Sequence, residues 1–356
     1  MKSKVYYSRV SESDSVAVVQ QKFSRLLDRS AVLDSITGKT AAVKMHFGEE
    51  GNTGFVKPHF VRQVAERVSV KGVRPVVTDT NTLYKGRRTD SAEHLRLAHE
   101  HGFTREAVDA DVMIASSGQN AVAGVAINGR YIKEAFVETF FTEVSSIVGI
   151  AHFKGHIMTG FGGALKNIGM GCASRKGKLA QHCDVSPVVW EKTCIGCGTC
   201  VGVCPVQAIT VIDTKARIDK KSCIGCATCI AVCPVKAIDV PWETGASRIQ
   251  EKMVEYAWAV LKDKKNTSAF INFATKITKE CDCLAQDESP MTADVGIFVS
   301  SDPVSLDMAT YETVIAAAGN DVFREAHPQR DGLKQIRHAE KIGLGSSAYE
   351  LQRIDG

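Results

Sequence analysis

Eight cysteines in the middle of the chain stand in two runs of one spacing. Cys194-Ile-Gly-Cys197-Gly-Thr-Cys200-Val-Gly-Val-Cys204-Pro205 is followed by Cys223-Ile-Gly-Cys226-Ala-Thr-Cys229-Ile-Ala-Val-Cys233-Pro234. Each reads C-x2-C-x2-C-x3-C-P. In that spacing three thiolates hold three irons of a [4Fe–4S] cube and the fourth reaches the other cube. The expected sets are Cys194, Cys197, Cys200 and Cys233 for one cluster, and Cys223, Cys226, Cys229 and Cys204 for the other. Such clusters pass single electrons. C-x2-C pairs also bind zinc, but zinc takes four ligands in two pairs, whereas each run supplies four closely spaced thiols and a trailing proline.

The runs are an internal repeat. Over Cys194–Val211 and Cys223–Val240, 13 of 18 positions are identical, and both halves carry apolar Ile and Val residues between their ligands. Duplicated halves pack about a pseudo-twofold axis, which carries each fourth cysteine across to its partner's cluster. The pattern resembles bacterial two-cluster ferredoxins and predicts an α+β ferredoxin-like module over residues 186–242.

Outside the runs, the strongest chemical stretch is His152-Phe-Lys-Gly-His156-Ile-Met-Thr-Gly160-Phe-Gly162-Gly163-Ala-Leu-Lys166-Asn167. Its glycines follow a predicted strand and lead into a short helix. N–H groups at a helix start take anions, and glycines let a ligand approach the backbone. Gly162, Gly163 and Asn167 are therefore candidates for binding a cofactor or an anionic ligand, and His156 and Lys166 for catalysis. The plainer reading is a glycine turn with a surface lysine and structural histidines. The stretch is neither a Walker P-loop nor G-x-G-x-x-G.

Cys281-Asp282-Cys283 offers soft thiolates as an extra metal clip or redox pair. Two ordinary buried cysteines are an equal alternative. Cys172 and Cys183, flanking the module, have a structural reading, with a third cluster from Cys172, Cys183, Cys281 and Cys283 as the alternative, although that spacing matches none of the standard patterns. Two loops lie where open α/β sheets place ligands, beyond strand carboxyl ends. One, His46 to Asn52, offers His46 as base or metal ligand beside Glu49. The other, Asp79 to Arg87, offers Asp79, Asn81 and Tyr84.

These residues need a frame. Apolar periodicity predicts strands at Lys4–Arg9, Thr40–Phe47, Pro75–Asp79, Asp111–Ala115, Val144–His152, Ala269–Thr275 and Val295–Val299. Helices are predicted at Asp14–Leu33, Lys57–Val70, Ser91–His101, Ser247–Leu261, Pro303–Ala318 and Asp331–Ile342. Alternating strands and helices imply an α/β fold with a mixed, largely parallel sheet covered on both faces. The expected organisation is residues 1–185 as the first part of that domain, 186–242 as the inserted module, and 243–356 as the second part completing the first. Asp302 reads as the cap of a helix entered at Pro303, with Asp307 inside it.

Bulk composition narrows the function. With 356 residues and 44% of them apolar, the chain can build a sizeable core. A net charge of +4, from 44 basic and 40 acidic residues, is no footprint for nucleic acid. The longest uncharged stretch, Val112 to Gly129, is too polar for a membrane span. The first residues have no apolar leader core. Twelve cysteines, eight in cluster spacing, fit a reducing, low-oxygen cytoplasmic setting better than disulfides. Around the module Lys192, Lys215, Arg217, Lys220, Lys221 and Lys236 outnumber Glu191, Asp213, Asp219 and Asp239. Such a face suits an acidic redox partner of ferredoxin or flavodoxin type.

Lys44-Met-His46-Phe-Gly48-Glu49, Thr159-Gly-Phe-Gly-Gly-Ala-Leu-Lys166-Asn167 and Asp302-Pro-Val-Ser-Leu-Asp307, with the cysteine module between the last two, resemble the domain of unknown function 362 family of iron–sulfur-associated proteins. The resemblance spans nearly the whole chain and implies architecture rather than a reaction. Gly162-Gly163-x-x-Lys166 is also similar to a segment of the nickel-pincer lactate racemases, which tether their cofactor through a lysine. That likeness would give Lys166 the same role. The expectation is an iron–sulfur oxidoreductase whose two clusters relay electrons to a small-molecule substrate or cofactor site on the α/β domain. The alternative is a non-catalytic electron carrier whose α/β domain docks a partner.

Overall fold

The computed structural model of the chain describes residues 2–84, 86–116, 122–182, 186–240 and 248–354. Cys183 and the expected helix start at Ser247 lie outside the described residues. Eight strands form one sheet in the order Tyr349–Arg353, Ser3–Arg9, Gly296–Ser300, Ser268–Ala274, Ser146–His152, Thr40–Lys44, Arg74–Asp79, Asp111–Ile114. Five neighbouring pairs are parallel. The two antiparallel pairs both involve Gly296–Ser300. The fold is the expected α/β class with a mixed, largely parallel sheet.

Successive strand residues point to opposite faces, and here each face has its own core. Ala42, Ile147, Phe270 and Phe298 belong to one apolar cluster, and Val43, Val148, Ile271 and Val299 to the other. The first cluster is closed by Leu165 and Ile168 of helix Ala164–Gly169 and by Met253 and Ala257 of helix Ile249–Leu261. The second is closed by Phe23 and Leu26 of helix Val16–Ser30 and by Val61 and Val64 of helix Pro58–Val70. Burial on both sides explains why the central strands read as continuous apolar runs.

The chain departs from the expected elements in a few places. Helix Val16–Ser30 stops at Ala31, which sits in the left-handed region with φ 51°, and a separate 3-10 turn covers Val32–Ser35. A hairpin of Val122–Ala126 with Glu134–Glu138 and the edge strand Tyr349–Arg353 were not anticipated. Both are short and half-exposed, so their sequences lack a clear apolar alternation.

Residues 186–240 fold as small paired elements. Val188–Val189 pairs with Ile238–Asp239, and Ile209–Ile212 with Lys215–Ile218. Short helices at Thr199–Gly202 and Thr228–Val232 follow the second cysteine of each run. Their apolar residues form a third cluster that also contains Leu83 and Leu179 of the α/β body.

One carboxylate ties the sheet to the glycine stretch. Asp302 caps helix Pro303–Ala318 by accepting from Val304 and Ser305 N–H groups. Asp307, fully buried in that helix, accepts from Ala164 and Leu165 N–H at 2.7 and 2.9 Å and from Asn272 Nδ2 at 2.8 Å. A Cβ at Gly163 would lie 2.3 Å from Asp307 Oδ1, so only glycine admits this approach. Burial raises the Asp307 pKa from 3.8 to about 6, against the hydrogen bonds from Asn272, Leu165 and Ala164. A carboxyl whose folded pKa is raised binds its proton more tightly in the folded chain. Its contribution to stability therefore declines as pH rises from about 4 to about 6 and is level beyond that window. Asp307→Asn should flatten this segment of a stability-versus-pH curve from anaerobic denaturant titrations. An unchanged slope there would assign the pH response to other groups.

Candidate functional site

Four parallel strands deliver their carboxyl ends to one place. Strand Thr40–Lys44 ends at Lys44 and leads to His46. Strand Arg74–Asp79 ends at Asp79 and leads to Tyr84 and Arg88. Strand Ser146–His152 leads to Lys154 and His156, and strand Ser268–Ala274 leads to Cys281 and Cys283. Together with Gly162, Gly163, Lys166 and Asn167 these residues line a pocket of about 450 Å³. The volume suits a small molecule, and the position is the one at which open α/β sheets bind ligands.

The pocket's reactive corner is the Cys281-Asp282-Cys283 turn. Asp282 is buried and accepts from His152 Nδ1 at 2.8 Å and Lys154 Nζ at 2.7 Å. Burial works against the Asp282 charge, but His152 and Lys154 outweigh it and hold its pKa well below the ordinary range. The turn is pinned further by Glu49 N–H on Asp282 O and by Tyr84 OH on Cys283 O. The Cys283 thiol donates to the Cys281 sulfur and draws the Cys281 pKa well down, and Lys166 and Lys154 add to this against burial. Cys283 moves the opposite way. Lys166 Nζ stands 3.3 Å from Cys281 Sγ. Burial opposes its charge, and the two sulfurs more than offset that burial, raising its pKa. His156 lies in the same corner, with a ring nitrogen and both sulfurs within 4.8 Å of one another. Its pKa is pushed well below 6.5 by burial first and by Lys166 next, so the ring is neutral. Its Nδ1 accepts N–H bonds from Met158 and Thr159 at 3.1 and 3.3 Å. The proton of the neutral ring is therefore on Nε2.

The structure thus brings His156, Lys166, Cys281 and Cys283 together, and His46 lines the same pocket. His46 is differently placed: its Nδ1 meets Gly48 N–H at 2.9 Å and its Nε2 meets Arg88 Nη1 at 2.8 Å. Both neighbours are donors. Burial and then Arg88 keep the His46 pKa well below 6.5. The glycine–helix stretch needs one correction. The helix N-terminus expected to take an external anion takes the Asp307 carboxylate instead. Gly162 makes room for Lys166, whose Cδ would lie 2.8 Å from an added Cβ. Asn167 donates to Lys44 O and Ile150 O, clamping two strands, and accepts from Lys44 Nζ.

Sequence reasoning passed over the buried cations. Lys44 pairs with Asp79 at 2.9 Å and Arg88 with Glu49 at 2.9 Å, all four buried. Lys178 is buried and hydrogen-bonds Thr80 Oγ1 at 2.6 Å, and burial lowers its pKa to about 7. Asp79 Oδ2 is buried with no hydrogen-bond partner among the described residues. The one available signal was position: Lys44 and Lys154 each stand two residues before a flagged histidine.

In the module, two hollows are each lined by four cysteines and apolar side chains. Cys194, Cys197, Cys200 and Cys233 surround one, and Cys223, Cys226, Cys229 and Cys204 the other. The fourth cysteine of each run thus lies with the first three of the other. The halves repeat in detail: Ala208 N–H points to Cys204 Sγ and Ala237 N–H to Cys233 Sγ, both at 3.2 Å.

The family model Domain of unknown function (DUF362) matches residues 41–312, which include the whole module and every residue that lines the pocket. The chain belongs to this family. No curated protein matches it. Two solved structures are similar in part. A Thermotoga maritima protein is 13% identical with a TM-score of 0.42, covering 86% of this chain and 60% of its own. The lactate racemase apoprotein from Thermoanaerobacterium thermosaccharolyticum is 10% identical with a TM-score of 0.44, covering 89% of this chain and 58% of its own. This DUF362 chain therefore spans less than two thirds of either.

The Cys281 thiolate gives a direct check of the corner. Lys166→Met removes the neighbouring cation, so Cys281 should alkylate more slowly with iodoacetamide at pH 7, by up to about tenfold for each pK unit by which its pKa then exceeds that pH. Peptide mass spectrometry over time reads the rate. Equal rates in both proteins would mean that Lys166 does not activate the thiol.

Proposed function

We propose that this DUF362 protein is an iron–sulfur oxidoreductase that relays electrons through two [4Fe–4S] clusters to a substrate or cofactor in the pocket. The observation that carries the reading is the crossing of the fourth cysteines, Cys204 and Cys233, into each other's hollow. Four thiolates around a hollow walled by Ile, Val, Ala and Pro fit a cube that must be kept from water. Backbone N–H groups on the Cys204, Cys233 and Cys194 sulfurs fit too, since such bonds steady thiolates and tune the potential. Clusters bound there would supply one-electron steps.

The residues around the hollows give the relay two ends. Cys197 is exposed, and Lys192, Arg217, Lys220, Lys221 and Lys236 are exposed on the same module. This excess of exposed basic over acidic residues would steer in an acidic redox partner. The inner end is the Cys223–Cys226 turn. A Cβ on its Gly225 would lie 3.6 Å from Leu179 Cδ2. Leu179 adjoins Lys178, a pocket residue, and Leu83 lines the pocket while packing in the module's own apolar cluster. At the pocket, neutral His156 holds a proton on Nε2 for a reacting atom, and Lys166 offers a cation to an anionic group. A pure carrier has no use for this many buried charges around one cavity. Their burial is costly unless paired or put to work.

Anaerobically purified protein should contain about eight iron atoms per chain. Cys204→Ser and Cys226→Ser should lose the same cluster, although they lie in different runs, and Cys233→Ser should lose the other. Paramagnetic resonance of the reduced proteins separates the two. Zinc in place of iron would sink the cluster reading. Lys166→Ala and His156→Ala should keep the iron but lose any organic ligand seen by native mass spectrometry. Iron alone, with no ligand in the unaltered protein, would favour the carrier.

A further inference from the structure

We infer that His156, Cys281 and Cys283 form a third metal site, separate from the two sulfur-lined hollows, for a thiophilic ion of the zinc or cobalt class. The inference goes beyond the relay proposed above and does not require it; with the ion bound, His156 Nε2 is a ligand and no longer carries the proton assigned to it there. Among the described residues, this group offers three donor atoms within 4.8 Å of one another. A tetrahedral ion with bonds of about 2.0–2.3 Å sets its donors about 3.3–3.8 Å apart. The 4.8 Å limit is about 1 Å wider than that spacing. Two thiolates and an imidazole make a soft to borderline set, which selects such ions over magnesium or calcium.

The surroundings already hold the ligands in place. Asp282, between the two cysteines, is fixed by His152 Nδ1 and Lys154 Nζ. Cys283 is fixed through its carbonyl by Tyr84 OH at 3.0 Å. Met158 and Thr159 N–H groups hold the His156 ring through Nδ1, which leaves Nε2 as the ring atom for a ligand. The incoming ion replaces the proton between the two sulfurs, and the ring binds as a neutral imidazole: its proton passes from Nε2 to Nδ1, so the two N–H contacts at Nδ1 are exchanged for the bond to the ion. Lys166, 3.3 Å from Cys281 Sγ, balances the charge of the coordinated thiolate. Three protein ligands leave a fourth tetrahedral position. Because all three residues line the 450 Å³ pocket, that position is open to a ligand within it. Structural zinc sites are closed, whereas sites that act on a bound molecule keep one position open.

The test uses iron-loaded protein, handled anaerobically, with cobalt(II) as the probe. One cobalt per chain should bind, with intense thiolate-to-cobalt absorption. Iron analysis of the same sample should stay constant, so that loss of the clusters and absence of the third site are read separately. Cys281→Ser and Cys283→Ser should abolish the absorption at unchanged iron, and His156→Ala should weaken it. If those variants do not accumulate folded, the unaltered protein still decides the matter. Cobalt or zinc should then protect Cys281 and Cys283 from alkylation. The inference is overturned by cobalt uptake indifferent to these substitutions, by free thiols that show no protection, or by the two cysteines found joined as a disulfide.

Discussion

Asp307 stands fully buried in helix Pro303–Ala318, and its two oxygens serve the N–H groups of Ala164 and Leu165 and the amide of Asn272. Through it, a helix from the end of the chain fixes the short helix that carries Lys166 and Asn167 against the strand that leads to Cys281. A six-residue helix has little stability of its own, because nucleation fixes several dihedrals for each early hydrogen bond. Capping by a carboxylate inside the core replaces what length cannot supply. Gly163 follows from this contact, since any side chain there would occupy the place of the carboxylate oxygen.

The same economy recurs at Asp282. Its neighbours in sequence are the two thiols of the pocket, and its partners in space are His152 and Lys154, which flank the turn into His156. Holding one carboxylate therefore sets both walls of the reactive corner. Positive groups predominate there, namely Lys44, Arg88, Lys154, Lys166 and Lys178, and each has a partner in the folded chain. Buried pairs of this kind are weak evidence for stability, because desolvation consumes much of the attraction. Their concentration around one cavity is what the proposed binding of an anionic group there would draw on.

Much of this was legible in the residues. The spacing of the cysteine runs named the crossed sets, and the hollows collect those same eight side chains. Apolar runs located the central strands to within a few residues, because burial on both faces leaves an unbroken signal. His156, Lys166, Cys281 and Cys283 were flagged separately, but their meeting in one corner was not readable. It depends on strand order, which brings Ser268–Ala274 beside Ser146–His152 across the inserted module. The glycine stretch was misread in one respect. Glycines before a helix look the same in sequence whether the anion they admit is a ligand or an aspartate from elsewhere in the chain. Lys178 and Arg88 were passed over because a lysine or arginine within a polar stretch normally marks solvent.

The exchange of cysteines between halves has a consequence for how the protein is made. As the chain leaves the ribosome, Cys194, Cys197 and Cys200 emerge together, but their fourth companion, Cys233, comes only after the second run has begun. Neither four-sulfur cage exists until nearly the whole repeat has been synthesised, and then both become complete almost at once. Maturation of the module is in this sense all-or-none. A nascent chain interrupted between residues 204 and 233 offers loose thiols to the cell, not one finished four-sulfur cage.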